Sequence, residues 1–143
     1  MIKIICGMSG SGKTSFVLKN IRDGEVILDL DFLQECLNIR STKLLKKIQL
    51  LLCEYFINYG KTVYYVTCYP NEDEEMFFQN KKSEYIWINT DIAKCNQNVI
   101  KRQRKKDLIF KDIFEFNKRI MEKYISSNIK FQVIDVFNSN ERW

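Results

Sequence analysis

A chain of 143 residues has room for one domain and little else, and 45% apolar with 29% charged residues suits a buried core rather than a disordered chain. No apolar run approaches the roughly 20 residues of a membrane helix, and the first residues lack the layout of a secretory leader, so a soluble, cytoplasmic protein without membrane contact is expected. The net charge of +5 is concentrated in Lys101, Arg102, Arg104, Lys105 and Lys106, and the lack of histidine excludes imidazole acid–base chemistry and a Cys/His zinc site.

Ile2 to Cys6 is apolar apart from Lys3, as in a strand buried on both faces. It runs directly into Gly7-Met8-Ser9-Gly10-Ser11-Gly12-Lys13-Thr14, and a helix follows from about Lys13 to Ile21. Asp23-Gly24 turns the chain into a second strand, Glu25 to Leu30. Asp31 to Leu37 reads as a short helix or turn. Ser41 is a candidate N-cap for a long helix, Thr42 to Tyr59, whose apolar residues recur at helical spacing and which Gly60 ends.

Lys61 to Cys68 is rich in β-branched and aromatic residues and forms the third expected strand. Pro70 stops it, and Asn71 followed by four acids suits a helix N-terminus, where negative charge favours the dipole. Glu84 to Asn89 is the fourth strand. A helix from about Asp91 ends in the basic run, a second spans Asp107 to Ser126, and Lys130 to Phe137 is the fifth strand before a short tail. Five strands alternating with about five helices imply a parallel sheet covered on both faces, a three-layer α/β/α domain over residues 1–143. The five cysteines form no Cys-x-x-Cys pair and read as buried free thiols.

The segment Gly7 to Thr14 meets the pattern Gly-x-x-x-x-Gly-Lys-[Ser/Thr] in full and lies between a strand and a helix, as that pattern requires. Glycines let backbone N–H groups curl round a polyphosphate, and the helix start adds its positive dipole end. Gly7, Ser9, Gly10, Ser11, Gly12, Lys13, Thr14 and Ser15 are therefore the expected nucleotide-binding residues. Lys13 is expected at the β- and γ-phosphates, the Thr14 hydroxyl on Mg²⁺ and Ser15 near the α-phosphate. The expected cofactors are ATP with Mg²⁺; GTP is the weaker choice, because Asn89-Thr90-Asp91 does not supply a guanine-reading Asn-Lys-x-Asp.

With that loop in this order of elements, the chain resembles small P-loop kinases of the nucleoside-monophosphate-kinase-like type, and among them phage polynucleotide-kinase-like proteins. The resemblance implies a five-stranded sheet in the order 2-3-1-4-5. It also implies an acid at the end of the second strand that takes the proton from the acceptor hydroxyl. Asp31 falls best on that position with Asp29 as the alternate; strand alternation would place both on one face, one as base and the other, Asp29, on the metal. After the fourth strand such kinases carry an arginine-bearing lid, here near residues 101–107, with Arg102 and Arg104 as the candidates for the transferring phosphate.

Two positions depart from that pattern. Gln34 stands where many members carry a substrate-binding arginine, which weighs against a 3′-phosphate or nucleic-acid-end substrate. Thr67-Cys68-Tyr69 replaces the acid that often ends the third strand. The resemblance implies a kinase acting on a nucleoside, nucleotide or polynucleotide, including modified DNA. The alternative is a nucleotide-binding regulatory or nucleic-acid-binding module without phosphotransfer, with residues 101–106 against a nucleic-acid backbone.

Overall fold

The computed structural model describes residues 1–102 and 110–136. In chain order these form β1 (Ile2–Cys6), α1 (Lys13–Asn20), β2 (Val26–Asp29), α2 (Leu30–Leu37), α3 (Thr42–Asn58), β3 (Val63–Val66), α4 (Glu72–Gln79), β4 (Ser83–Asn89), α5 (Ile92–Arg102), α6 (Phe110–Ile125) and β5 (Phe131–Asp135). The five strands are all parallel, in the order β2-β3-β1-β4-β5. This is the three-layer architecture and strand order read from the sequence.

Alternation along β1 explains why both faces of the sheet must be covered. Ile4 and Cys6 enter a cluster with Tyr65 and Trp87, closed by Cys53 of α3, Phe78 of α4 and Ile120 of α6. Ile5 enters the opposite cluster with Tyr64, Val66, Ile86 and Ile88, closed by Val17 and Phe16 of α1. Tyr124 of α6 stacks on Trp87 with ring centroids 4.0 Å apart and planes 7° from parallel. Such a pair contributes about 0.5–1.5 kcal/mol beyond its buried area, and it holds α6 to the sheet. On α3, the buried Gln49 donates through Nε2 to the carbonyls of Leu28 and Val66, each at 2.9 Å. One side chain thus ties together the carboxyl ends of β2 and β3.

Local capping follows the sequence closely. The Ser41 hydroxyl accepts the Leu44 N–H, and Asn71 and Glu74 form a reciprocal capping box at the start of α4. Three expectations need correction. First, β2 stops at Asp29 rather than Leu30, because the Asp29 carboxylate accepts the Asp31 N–H at 2.8 Å and caps α2. Asp29 and Asp31 therefore do not alternate along a strand; Asp31 lies in the first helical turn. Secondly, of the two forms expected for Asp31 to Leu37, a short helix or a turn, the helix is found, over Leu30–Leu37, and the described residues hold six helices against an expected five or so. Thirdly, Cys6, Cys53 and Cys95 are buried, but Cys36 is exposed and Cys68 only half-buried.

Candidate active site

The carboxyl ends of β1, β2 and β3 border one cleft of about 830 Å³. In open parallel sheets this edge is where ligands bind, because the strand-to-helix turns converge there. The turn from β1 to α1 is fixed from several sides. Gly7 N–H donates to Cys68 O at 3.0 Å and Ser11 N–H to Met8 O at 3.1 Å. From outside, the Thr90 hydroxyl donates to Ser11 O at 2.7 Å and Asn98 Nδ2 to Gly10 O at 2.9 Å. Ser9 N–H donates to Asn117 Oδ1 at 2.8 Å.

The backbone N–H groups of Gly10, Gly12, Lys13, Thr14 and Ser15 donate to no described residue. They curl over the start of α1, where the dipole favours an anion. Two of the glycines are required by space. At Gly7 a Cβ would stand 2.6 Å from the Ser11 hydroxyl, and at Gly10, with φ 83°, it would collide with the Cys95 carbonyl. The Ser11 hydroxyl is itself buried without a partner on that inner side of the loop.

Lys13 Nζ donates to the carbonyls of Gly7 and Met8, at 2.9 and 2.8 Å, and lies 3.7 Å from Cys68 Sγ. The Thr14 hydroxyl donates to Asp29 Oδ2 at 2.7 Å. Asp29 is only 6% exposed, with its second oxygen on the Asp31 N–H. A hydroxyl and a carboxylate in contact are hard oxygen donors of the kind Mg²⁺ takes, a cation that is usually held by one or two protein groups and completed by water and substrate phosphate. No cluster of three or more His, Cys, Asp or Glu occurs among the described residues. The donor set fits a nucleotide-borne Mg²⁺ better than an all-protein metal cage.

The structure gathers most of the residues singled out in the sequence. Ser9, Gly10, Ser11, Gly12, Lys13, Thr14, Ser15, Asp29, Asp31 and Arg102 all line the cleft. Arg102, the last residue of α5, donates through Nη2 to the Ser9 hydroxyl at 2.8 Å. Gly7 lies behind the loop rather than on the cleft wall. Arg104 lies outside the described residues, as does most of the expected lid near 101–107.

No family model and no curated protein matches this sequence. Solved structures do. A shikimate kinase from Bacteroides thetaiotaomicron is similar over 100% of this chain and 90% of its own, with TM-score 0.62 and 15% identity. A gluconokinase from Sinorhizobium meliloti has TM-score 0.59 and 11% identity, covering 95% of this chain and 82% of that one. A deoxyadenosine kinase from M. mycoides has TM-score 0.50 and 12% identity, with 94% and 91% covered. The fold is that of a P-loop kinase. At identities this low the likeness concerns the fold, and the chemistry rests on this chain's own residues.

On this P-loop kinase fold the cleft is completed by residues that no motif announces. Lys46 of α3 donates to Glu74 Oε1 at 3.1 Å and to the Thr67 hydroxyl at 3.3 Å. The Lys46 side chain is 25% exposed and that of Glu74 0%. Tyr65 OH donates to the other Glu74 oxygen at 2.5 Å. Burial, and then the Glu74 charge, push the Tyr65 phenol well above its usual range. A cation thus stands at the end of β3, beside the position where the resemblance implies an acid. The nearby thiols are electrically quiet: burial raises Cys6 well above the ordinary thiol value and carries Cys95 up to about 12.

Proposed function

We propose that this chain is an ATP-dependent kinase that transfers the γ-phosphoryl group to a hydroxyl or phosphate of a nucleoside, nucleotide or polynucleotide, modified DNA included. The observation that carries this reading is the contact between Thr14 and Asp29 in the cleft that also holds the loop amides and Asp31. In it, the N–H groups of Gly10, Gly12, Lys13, Thr14 and Ser15 bind the β- and γ-phosphates, and Lys13 turns from the Gly7 and Met8 carbonyls to the same oxygens. Thr14 and Asp29 would hold Mg²⁺, which would supply neutralisation of the phosphate charge.

Asp31 is the base of choice because it falls best on the acid that the kinase resemblance implies after the second strand, and it lines the cleft in the first turn of α2. It accepts the proton of the attacking hydroxyl as the new O–P bond forms; the bond from Pγ to the bridging oxygen breaks and ADP leaves. Arg102, with Arg104 as the second lid candidate, is assigned to the charge that develops on the transferring group. Positioning and charge do most of the work in such a transfer. An acceptor at a polynucleotide end is the finer variant, drawn from the likeness to phage polynucleotide-kinase-like proteins and weakened by Gln34 in place of an arginine.

A second reading, nucleotide binding without transfer, draws on one feature. Cys68 and Thr67 occupy the end of β3, with Lys46 beside them instead of an acid. One experiment separates the two. Labelled ATP is offered with nucleosides, monophosphates, 5′-hydroxyl DNA and RNA, and hydroxymethylated DNA, alongside calorimetry of MgATP with the wild type and Lys13→Ala. Transfer to one acceptor class supports the kinase, and binding lost in Lys13→Ala without transfer to any supports the second reading. Equal ATP affinity in both proteins would sink nucleotide binding at this loop.

A further inference from the structure

The phosphate loop is gripped by a residue from the far end of the chain. Asn117, in the middle of α6 and 0% exposed, meets Ser9 with both ends of its amide. Its Oδ1 accepts the Ser9 N–H at 2.8 Å and its Nδ2 donates to Ser9 O at 3.0 Å, with a further contact to Asn96 Oδ1 at 3.2 Å. A side-chain amide that satisfies the N–H and C=O of one residue copies the pairing of a neighbouring strand, in a stretch where the loop has no strand beside it. Asn98 of α5 holds the next residue by its carbonyl alone, donating to Gly10 O at 2.9 Å and leaving the Gly10 N–H to the cleft.

We propose that Asn117 is a positioning residue for the polyphosphate. It clamps the Ser9 peptide so that the free amides of Gly10, Gly12, Lys13, Thr14 and Ser15 converge on one point. The inference rests on the nucleotide-binding reading above and extends it to a residue that touches no phosphate itself. The geometry supports the clamp in three ways. Ser9 N–H is consumed by Asn117, so the anion cradle begins one residue later, at Gly10. Gly10, at φ 83°, lies so close to α5 that a Cβ there would collide with the Cys95 carbonyl, so the loop is closely packed on the residue after the clamp as well. Finally, α6 is anchored by the Tyr124–Trp87 stack two turns further on, which gives the clamp a rigid base. Preorganised amides pay no reorientation cost when the anion arrives, and small misplacements of such donors cost one to two orders of magnitude in related settings.

The test uses two probes, MgATP and magnesium tripolyphosphate, titrated calorimetrically into wild type, Asn117→Leu and Asn117→Asp. Leucine fills the site without hydrogen bonds; aspartate keeps the acceptor for Ser9 N–H but faces Ser9 O with a second acceptor. Both variants are expected to bind both probes about 10-fold to 100-fold more weakly, while melting as a folded protein. The loss must be shared by tripolyphosphate, which has no base or sugar. Hydrogen exchange in the unliganded wild type supplies a measurement that needs no variant, and the Ser9 amide is expected to be protected. Wild type that binds neither probe overturns the nucleotide reading and this inference with it. Wild type that binds both, with folded variants that bind equally well or a Ser9 amide that exchanges freely, overturns this inference alone.

Discussion

Thr14, at the start of α1, and Asp29, at the end of β2, meet through a 2.7 Å hydrogen bond, although fifteen residues separate them. The contact joins the phosphate loop to the strand end that carries the acids. If this pair holds Mg²⁺, removing the Asp29 charge should be felt in metal-dependent binding more than in stability. Asp29→Asn retains an oxygen for the Asp31 N–H and so retains the α2 cap. MgATP affinity is expected to fall about 10-fold to 100-fold, while ATP affinity in EDTA changes little; calorimetry with and without Mg²⁺ reads both. Equal losses in the two conditions would remove Asp29 from the metal site.

What was legible in the sequence was whatever local physics determines. Gly7 to Thr14 announces its own geometry because glycines, lysine and hydroxyl must come at fixed spacing. Ser41 and Asn71 announce helix starts because a cap acts within three residues. The strand ends one residue before the alternating pattern does, because the Asp29 side chain serves the next helix, and a strand pattern does not show where a carboxylate points. Asn117, Lys46 and Glu74 were invisible for a different reason. Their partners lie far off in sequence, 108 residues for Asn117 and Ser9 and 28 for Lys46 and Glu74. A lone asparagine on a helix with a broad apolar stripe carries no local signal that its amide is buried against a loop.

Asp31 is separable from Asp29 by kinetics. As the general base it should affect the chemical step and leave the nucleotide alone. Asp31→Asn is expected to lower kcat by about 10²-fold to 10⁴-fold, with the KM for ATP unchanged, once an acceptor is in hand. A raised KM for ATP with kcat intact would assign Asp31 to binding instead.

Lys46 and Glu74 form a pair in which the carboxylate is wholly buried and the ammonium reaches the cleft. Such pairs matter most when half of one is removed, because the remaining charge stays buried without compensation. Lys46→Met should therefore destabilise the fold, by less than the roughly 3–5 kcal/mol of a wholly buried pair, since Lys46 is partly exposed and Glu74 keeps the Tyr65 hydroxyl and the Asn71 N–H. The double change Lys46→Met with Glu74→Gln should recover much of that loss, since glutamine is neutral, its oxygen can keep the Asn71 N–H that closes the α4 cap, and its Nε2 can donate to the Tyr65 hydroxyl. Urea unfolding of the two variants decides the matter; no recovery in the double variant would mean that the ammonium acts through Thr67 rather than through Glu74.

The buried thiols predict a loss of stability at high pH. Burial carries Cys53 and Cys95 from the ordinary 9.0 up to about 12, and Cys6 and Tyr65 are raised as well. Above pH 9 these thiols ionise in the unfolded chain while they stay protonated in the folded one. The folded state then holds more protons, so stability falls as pH rises. Their contribution is complete below about pH 9 and is lost progressively towards pH 12. The melting temperature should be level across pH 7 to 9 as far as these groups are concerned, then drop by on the order of 5 °C or more by pH 11. Thiol labelling supplies the cross-check, because the thiolate is the reactive form. In the folded protein at pH 8 the exposed Cys36 and half-buried Cys68 should react, and Cys6, Cys53 and Cys95 should not. MgATP should slow Cys68 alone, since its sulfur lies 3.7 Å from the Lys13 ammonium on the wall of the cleft. Labelling of Cys68 at the same rate with and without MgATP would place the nucleotide elsewhere.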